Sequence, residues 1–338
     1  MRALILPLLG AVLGAAGPAT PALAVSIDWV TVGLPGNAAD EQTGFGSVAY
    51  TYRISKYEVT NVQYAEFLNA VAASDPNELY NPKMGTLTLN GGITRSGSSG
   101  TYEYDLISGR ENMPVVYVSV YDAMRFANWM DNGQPSGAQD ATTTEGGAYT
   151  ITEQGIVENT IGRDADARIL LANRAEWYKA AYHDALGVQV TSYFDFPTGS
   201  NTGPVCSSPT SAPNHANCNN QVGDLTSVGS YTGSSSPWGA FDLAGNVWEW
   251  TEEIYFRDDR LREIRGASFV DGGGYLATSD LAIFPTDESS VVGFRLAMIP
   301  EPGTGFLVAL GMVGLSRFRH RREQRRQGDP GRSIETTR

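Results

Sequence analysis

Residues 236–250 read Ser236-Pro237-Trp238-Gly239-Ala240-Phe241-Asp242-Leu243-Ala244-Gly245-Asn246-Val247-Trp248-Glu249-Trp250, and the fold is decided here. Trp248 and Trp250 flank a glutamate and are of the size that anchors a core. Two further segments follow, Arg265-Gly266-Ala267-Ser268-Phe269 and Val292-Gly293-Phe294-Arg295-Leu296. Upstream, three helix starts stand among short strands. Thr60-Asn61-Val62-Gln63 is a capping box, an N-cap hydroxyl with Gln three residues on. Tyr64, Phe67, Leu68 and Val71 then recur at helical spacing, which predicts a helix over 61–72. A second box at Ser119-Val120-Tyr121-Asp122 opens a helix whose inward face is Ala123, Phe126, Ala127 and Met130. A third, Asn173-Arg174-Ala175-Glu176, opens Trp177 to Tyr182. Residues 27–32 and 50–55 read as strands. Residues 90–100 read as a Gly/Ser turn, because Tyr102, Tyr104 and Leu106 alternate after it. Polar, glycine-rich 133–147 and aperiodic 195–231 read as loops. Few helices, many short strands and long loops predict one irregular α+β domain.

The chain has 338 residues, of which 41% are hydrophobic and 10% aromatic, enough apolar material to exclude wholesale disorder. The formal net charge of −13 is unevenly spread. Residues 25–300 hold 15 Lys+Arg against 33 Asp+Glu, while eight arginines crowd after residue 316. An acidic body repels phosphates, which argues against a nucleic-acid partner and suits solubility or cation binding.

The two ends read as addresses. In residues 1–24, Arg2 precedes an apolar run that closes on Ala22-Leu23-Ala24, the pattern of a secretory signal peptide with a small-residue cleavage site. At the other end Pro300-Glu301-Pro302 precedes an apolar run to Ser316 and then Arg317, Arg319, Arg321, Arg322, Arg325 and Arg326. That run is short for a full membrane span, and its basic flank belongs on the cytoplasmic side. Residues 300–326 resemble the PEP-CTERM sorting signal of Gram-negative bacteria. The resemblance implies an exosortase as processing partner, a transient inner-membrane contact, and delivery to the cell surface or extracellular matrix. A globular body at 25–299 and a polar tail at 327–338 complete the expected organisation.

The only cysteines are Cys206 and Cys218, and an even count in an exported chain predicts one disulfide. Closing that short loop is worth roughly 3 kcal/mol in the chain-entropy account. His183 and His215 are the only histidines of the body, so a three-histidine metal site is excluded.

The motifs at 236–250, 265–269 and 292–296 resemble those of the formylglycine-generating enzyme (sulfatase-modifying factor) family. Residues 54–64, 113–119 and 170–180 match its upstream strand-to-helix junctions. The resemblance implies a C-type-lectin-like α+β fold, low in regular secondary structure. It also implies a redox site in which two cysteines hold copper just after an Arg-Gly-Gly-Ser segment. Aligning Arg265-Gly266-Ala267-Ser268 on that segment puts Asp271 and Leu276 at the two cysteine positions. Cuprous copper requires soft sulfur ligands, so no copper and no formylglycine generation are expected. The related iron-dependent sulfoxide synthases use three histidines on a partner domain, whereas the body here holds two and is expected to have no such partner domain.

Ser268, Tyr275 and Trp248 match family positions that line the substrate cleft, and Asp271 joins them. The same resemblance implies Ca2+ held by the Asp242 side chain, the Gly245 and Val247 carbonyls and Glu249, all hard oxygen donors. A second Ca2+ set begins at Asn217 and the carbonyl of Cys218, with Asp224 as a guess for its carboxylate. The expectation is a surface or matrix protein, a calcium-stabilised binding module without catalysis, whose partner is an extracellular polysaccharide or a matrix protein. The alternative is an enzyme of this family, making formylglycine or using Ser268 and Asp271 for other chemistry in the same cleft. Against other chemistry, no motif places a histidine beside Ser268.

Overall fold

Two four-stranded sheets meet at a single residue. In a computed structural model, which describes residues 24–187, 192–277 and 281–299, the strands are β1 (Trp29–Val32), β2 (Tyr52–Ser55), β3 (Ile93–Ser96), β4 (Glu103–Leu106), β5 (Ile169–Leu171), β6 (Val205–Cys206), β7 (His215–Ala216), β8 (Trp248–Ile254), β9 (Arg262–Arg265), β10 (Leu281–Ile283), β11 (Val292–Phe294) and β12 (Leu296–Met298). The helices are α1 (Asn61–Val71), α2 (Val120–Asp131), α3 (Glu153–Glu158) and α4 (Arg174–Tyr182). One sheet has the order β1-β2-β12-β5 and the other β10-β9-β8-β11; β3 with β4 and β6 with β7 form two-stranded pairs. The first sheet is antiparallel throughout, with Trp29 opposite Ser55 and Ala297 opposite both Ile54 and Leu170. In the second, β11 lies parallel to β8 while β9 is antiparallel to it. Only Arg295 separates β11 from β12, so the chain changes sheets across one residue.

The three predicted helices form where their caps place them. Thr60, Ser119 and Asn173 each accept from the backbone amide three residues on, and the residue there returns the bond to the cap amide. Local hydrogen-bond chemistry thus satisfies the otherwise orphaned amides of each first turn. The apolar stripes are core: Tyr64, Phe67, Leu68 and Val71 of α1 are buried, as are Ala123, Phe126, Ala127 and Met130 of α2. Phe126 stacks on Tyr64 at 6.0 Å and meets Phe294 edge-on at 5.4 Å, tying both helices to β11.

Two local expectations need correction. Strand β3 lies inside the stretch expected as a turn; the turn proper starts at Gly97, whose positive φ of 81° any side chain resists. Helix α3 was not foreseen, since one side-chain cap and six residues leave little periodicity. The Cys206–Cys218 disulfide is formed, with Cα atoms 4.9 Å apart. The signal peptide, the sorting signal and the polar tail lie outside the described residues, apart from Ala24.

Charge is buried in pairs between the layers. Glu252 on β8 pairs with Arg163 at 2.6 Å and accepts from the Tyr149 hydroxyl at 2.9 Å. Burial pushes its carboxyl up to about 7, and Arg163 offsets this only in part. Because the folded-state value is raised, Glu252 contributes most below the unfolded value near 4.5, and the contribution fades as pH rises through about 7. Wild type is therefore expected to lose up to ~3 kcal/mol between pH 5 and pH 8 that Glu252→Gln does not lose. Urea unfolding at the two pH values checks this, and parallel losses in the two proteins would refute it.

Candidate functional site

The stretch 236–247 has to turn tightly before entering β8. Asp242, Gly245 and Asn246 all have positive φ, at 59°, 85° and 62°. Gly245 has no alternative, because a Cβ there would sit 2.2 Å from the Asn217 carbonyl oxygen. This close approach lets Asn246 donate its amide to Asn217 O at 2.9 Å, joining the turn to the disulfide loop. Gly245 also donates to Gly266 O at 2.9 Å, and Phe269 donates to Asn246 O at 2.9 Å. The segment 265–277 is thereby laid across the start of β8.

The four cleft residues expected from sequence come together. Asp271 Oδ2 accepts from Trp248 Nε1 at 2.8 Å, from the Ser268 amide at 2.9 Å and from Ser268 Oγ at 2.5 Å. Tyr275 meets the Trp248 ring edge-on at 6.3 Å. Trp248 and Ser268 are buried, Asp271 is half-buried, and Tyr275 is 53% exposed. Leu276, at the second copper-cysteine position, is only 1% exposed and belongs to the core. A buried aliphatic chain offers no metal a donor, and a carboxylate is not a soft ligand. The residues present therefore do not fit copper.

Neither described histidine serves Ser268. His183 stacks against Trp238 at 5.9 Å, and His215 Nδ1 shares a 2.8 Å hydrogen bond with Ser207 Oγ. The Ser268 hydroxyl donates to the Asp271 carboxylate, and neither described histidine is bonded to it.

The residues expected at the first calcium site surround a buried guanidinium. Glu249 Oε2 accepts from Arg295 Nε at 2.6 Å and Trp177 Nε1 at 2.7 Å, while Oε1 accepts from Arg295 Nη2 at 2.6 Å. Asp242 Oδ2 accepts the Gly229 amide at 2.5 Å. Burial pushes the Asp242 carboxyl up to about 6, against the lowering effects of the Gly229 amide and Arg295. Sequence reading overlooked a third carboxylate, Glu58, although it lies in the quoted junction 54–64. It is buried, its Oε1 accepts from Asn246 Nδ2 at 3.0 Å, and its Oε2 lies 3.9 Å from Arg295 with no hydrogen-bond partner. Burial first, then Asp242, drives the Glu58 carboxyl well up. Three buried carboxylates thus share one guanidinium, an imbalance that an oxygen-liganded divalent cation would relieve. Among the described residues no three His, Cys, Asp or Glu side chains converge to hold a metal by themselves. A cation here would therefore need the Gly245 and Val247 carbonyls.

At the second set, Asn217 is buried and its Oδ1 has no partner, the condition expected of a ligand oxygen. Asp224 does not complete it. Its carboxylate is held by Arg110 in two bonds of 2.8 and 3.0 Å, so this guess is corrected: a guanidinium already takes both its oxygens.

Fold and motifs together define an α+β scaffold of the formylglycine-generating type. Residues 37–299 match the sulfatase-modifying factor enzyme 1-like domain, and the chain belongs to that family. Over 67 residues it is 39% identical to the inactive C-alpha-formylglycine-generating enzyme 2 of Bos taurus, a match covering 18% of this chain and 22% of that one. The aligned part thus spans about a fifth of the relative's length. Among solved structures, the crystal structure of CarF superposes with a TM-score of 0.52 at 20% identity, covering 82% of this chain and 99% of CarF. Treponema denticola variable protein 1 gives 0.50 at 18% identity, covering 80% and 95%. At these identities the superpositions show the fold alone.

The Glu249–Arg295 pair should be indispensable as a pair. Arg295→Gln, which leaves the Glu249 charge buried, is expected to cost about 3–5 kcal/mol. Adding Glu249→Gln to that variant should recover part of the loss. Chemical unfolding of the two single variants and the double variant measures the coupling; strictly additive losses would show that the residues act independently.

Proposed function

We propose that this chain is an exported member of the sulfatase-modifying factor family that binds rather than catalyses, stabilised by calcium and presented at the cell surface or in the extracellular matrix. The observation that carries the reading is the fate of the two copper positions: Leu276 is built into the core, and Asp271 is locked by Trp248 and Ser268. The chain's two cysteines are joined to each other in a disulfide. The printed name of the bovine relative, an inactive enzyme of the same family, is consistent with such a loss.

Export rests on the sequence patterns at the two ends. The signal peptide directs the chain across the inner membrane, the 300–326 segment anchors it transiently, and an exosortase removes that tail. The partner is an extracellular polysaccharide or a matrix protein. The acidic body excludes nucleic acid by charge.

Calcium has a structural part in this reading. Asp242 and the carbonyls of Gly245 and Val247 hold the ion in the 242–249 turn, and Glu249, both of whose oxygens already accept from Arg295, has to share an oxygen between guanidinium and ion to join them. The ion supplies positive charge where Glu58, Asp242 and Glu249 outnumber Arg295. A second ion at Asn217 and the Cys218 carbonyl is the weaker case, because Asp224 is engaged by Arg110.

Two measurements test the proposal. When the full chain is incubated with copper and a Cys-x-Pro-x-Arg peptide, the peptide mass should stay constant. A loss matching conversion of thiol to aldehyde would overturn the non-catalytic reading. EDTA should lower the melting temperature and added Ca2+ should restore it, whereas Asp242→Ala should abolish the response. A melting temperature indifferent to both additions would remove calcium from the account.

A further inference from the structure

The ligand class can be read from the same cleft, and this step rests on the binding reading above. Asp271 spends one carboxylate oxygen on three donors, which fixes the rotation of the carboxylate. Its Oδ1 takes no part in those three bonds, and a carboxylate oxygen can accept from an incoming donor. Tyr275 meets Trp248 edge-on and is 53% exposed, so aromatic surface faces solvent four residues after Asp271. Between them runs Gly272-Gly273-Gly274, and a Cβ built at Gly273 or Gly274 meets nothing within 4 Å.

A second wall comes from the disulfide loop. Asn219 donates its amide to Asp271 O at 2.7 Å, and Asn220 donates to Phe269 O at 2.7 Å. Both side chains are exposed, and Asn219 Oδ1 lies 3.8 Å from where a Gly272 Cβ would stand. The Cys206–Cys218 bond pins this turn one residue before Asn219. An aromatic face, a fixed carboxylate oxygen and an adjacent carboxamide are the groups that recognise a pyranose. The ring stacks on the apolar face of the sugar, and the planar acceptor and amide bridge its hydroxyls.

We propose that this cleft seats a neutral or amino pyranose of an extracellular polysaccharide, with Tyr275 as stacking platform and Asp271 and Asn219 as hydroxyl or ammonium partners. Uronates and sulfated sugars are turned away by Asp271 and by a body with 33 acidic against 15 basic residues in 25–300.

The test applies the full chain to immobilised neutral hexose, hexosamine and uronate oligosaccharides. Retention on hexose or hexosamine oligomers is expected, and none on uronates. Tyr275→Ala should weaken that retention about tenfold or more, and Tyr275→Phe should leave it near wild type. Asp271→Asn should weaken it as well. Since Asp271 also holds Trp248 and Ser268, Tyr275→Ala is the deciding variant, and its melting temperature should match wild type. Glycan retention that Tyr275→Ala leaves unchanged, retention on uronates alone, or no retention on any sugar would overturn the saccharide site. Capture of a matrix protein through Tyr275 without any sugar would overturn it too, while leaving the binding reading intact. Turnover of the Cys-x-Pro-x-Arg peptide would overturn the binding reading itself.

Discussion

One buried guanidinium organises the molecule. Arg295 stands alone between β11 and β12, and its side chain is fully enclosed. It donates to Glu249 on β8, to Ser55 O on β2 at 3.1 Å and to Phe241 O in the turn before β8 at 2.9 Å. Trp177 of α4 completes the Glu249 shell. Both sheets, a helix and the turn that shapes the cleft therefore converge on one cation. Such a pair adds little net stability over an apolar core, since both ions must be desolvated. Its force lies in what it forbids: any other pairing of β11 and β12 would strand a charge in the interior.

The cleft lies at the outer end of that framework. Trp248 opens β8, and its indole N–H reaches Asp271 across the 265–277 segment. At the two positions expected from the resemblance for copper thiolates, this chain has a carboxylate, Asp271, and a buried leucine, Leu276. The change is chemical more than architectural. An oxygen that accepts hydrogen bonds and a buried aliphatic chain are not the soft donors that cuprous copper requires. The surrounding frame, with its left-handed turns and the Gly245 contact to Asn217, is kept by backbone geometry and does not depend on those two side chains.

Much of this was legible from residues. The three capping boxes place helices to within a residue or so, because an N-cap hydrogen bond is decided within four neighbouring residues. Ser268, Asp271, Tyr275 and Trp248 were gathered by motif alignment, and they do meet. The failures were of another kind. Strand β3 was hidden by glycines and serines that favour turns locally, yet it is held by pairing with β4. Arg262, Arg265 and Arg295 are fully buried, and nothing in charge patterning marks them as interior. Glu58 was read only as part of a strand-to-helix junction, whereas its carboxylate faces Arg295 from 237 positions away in sequence.

The amino-acid sequence by itself determined the family, the helix starts and the cysteine pairing. Each of these follows from residue identity or from short-range bonding, which operates before any tertiary contact forms. Only the tertiary structure decided that Glu249 belongs first to Arg295, that Asp224 belongs to Arg110, and that Asp271 gives one oxygen to both Trp248 and Ser268. These are choices among partners of similar chemistry. They are settled by which groups the folded chain buries together, because desolvation makes an unpaired charge costly and so assigns every carboxylate to the nearest donors.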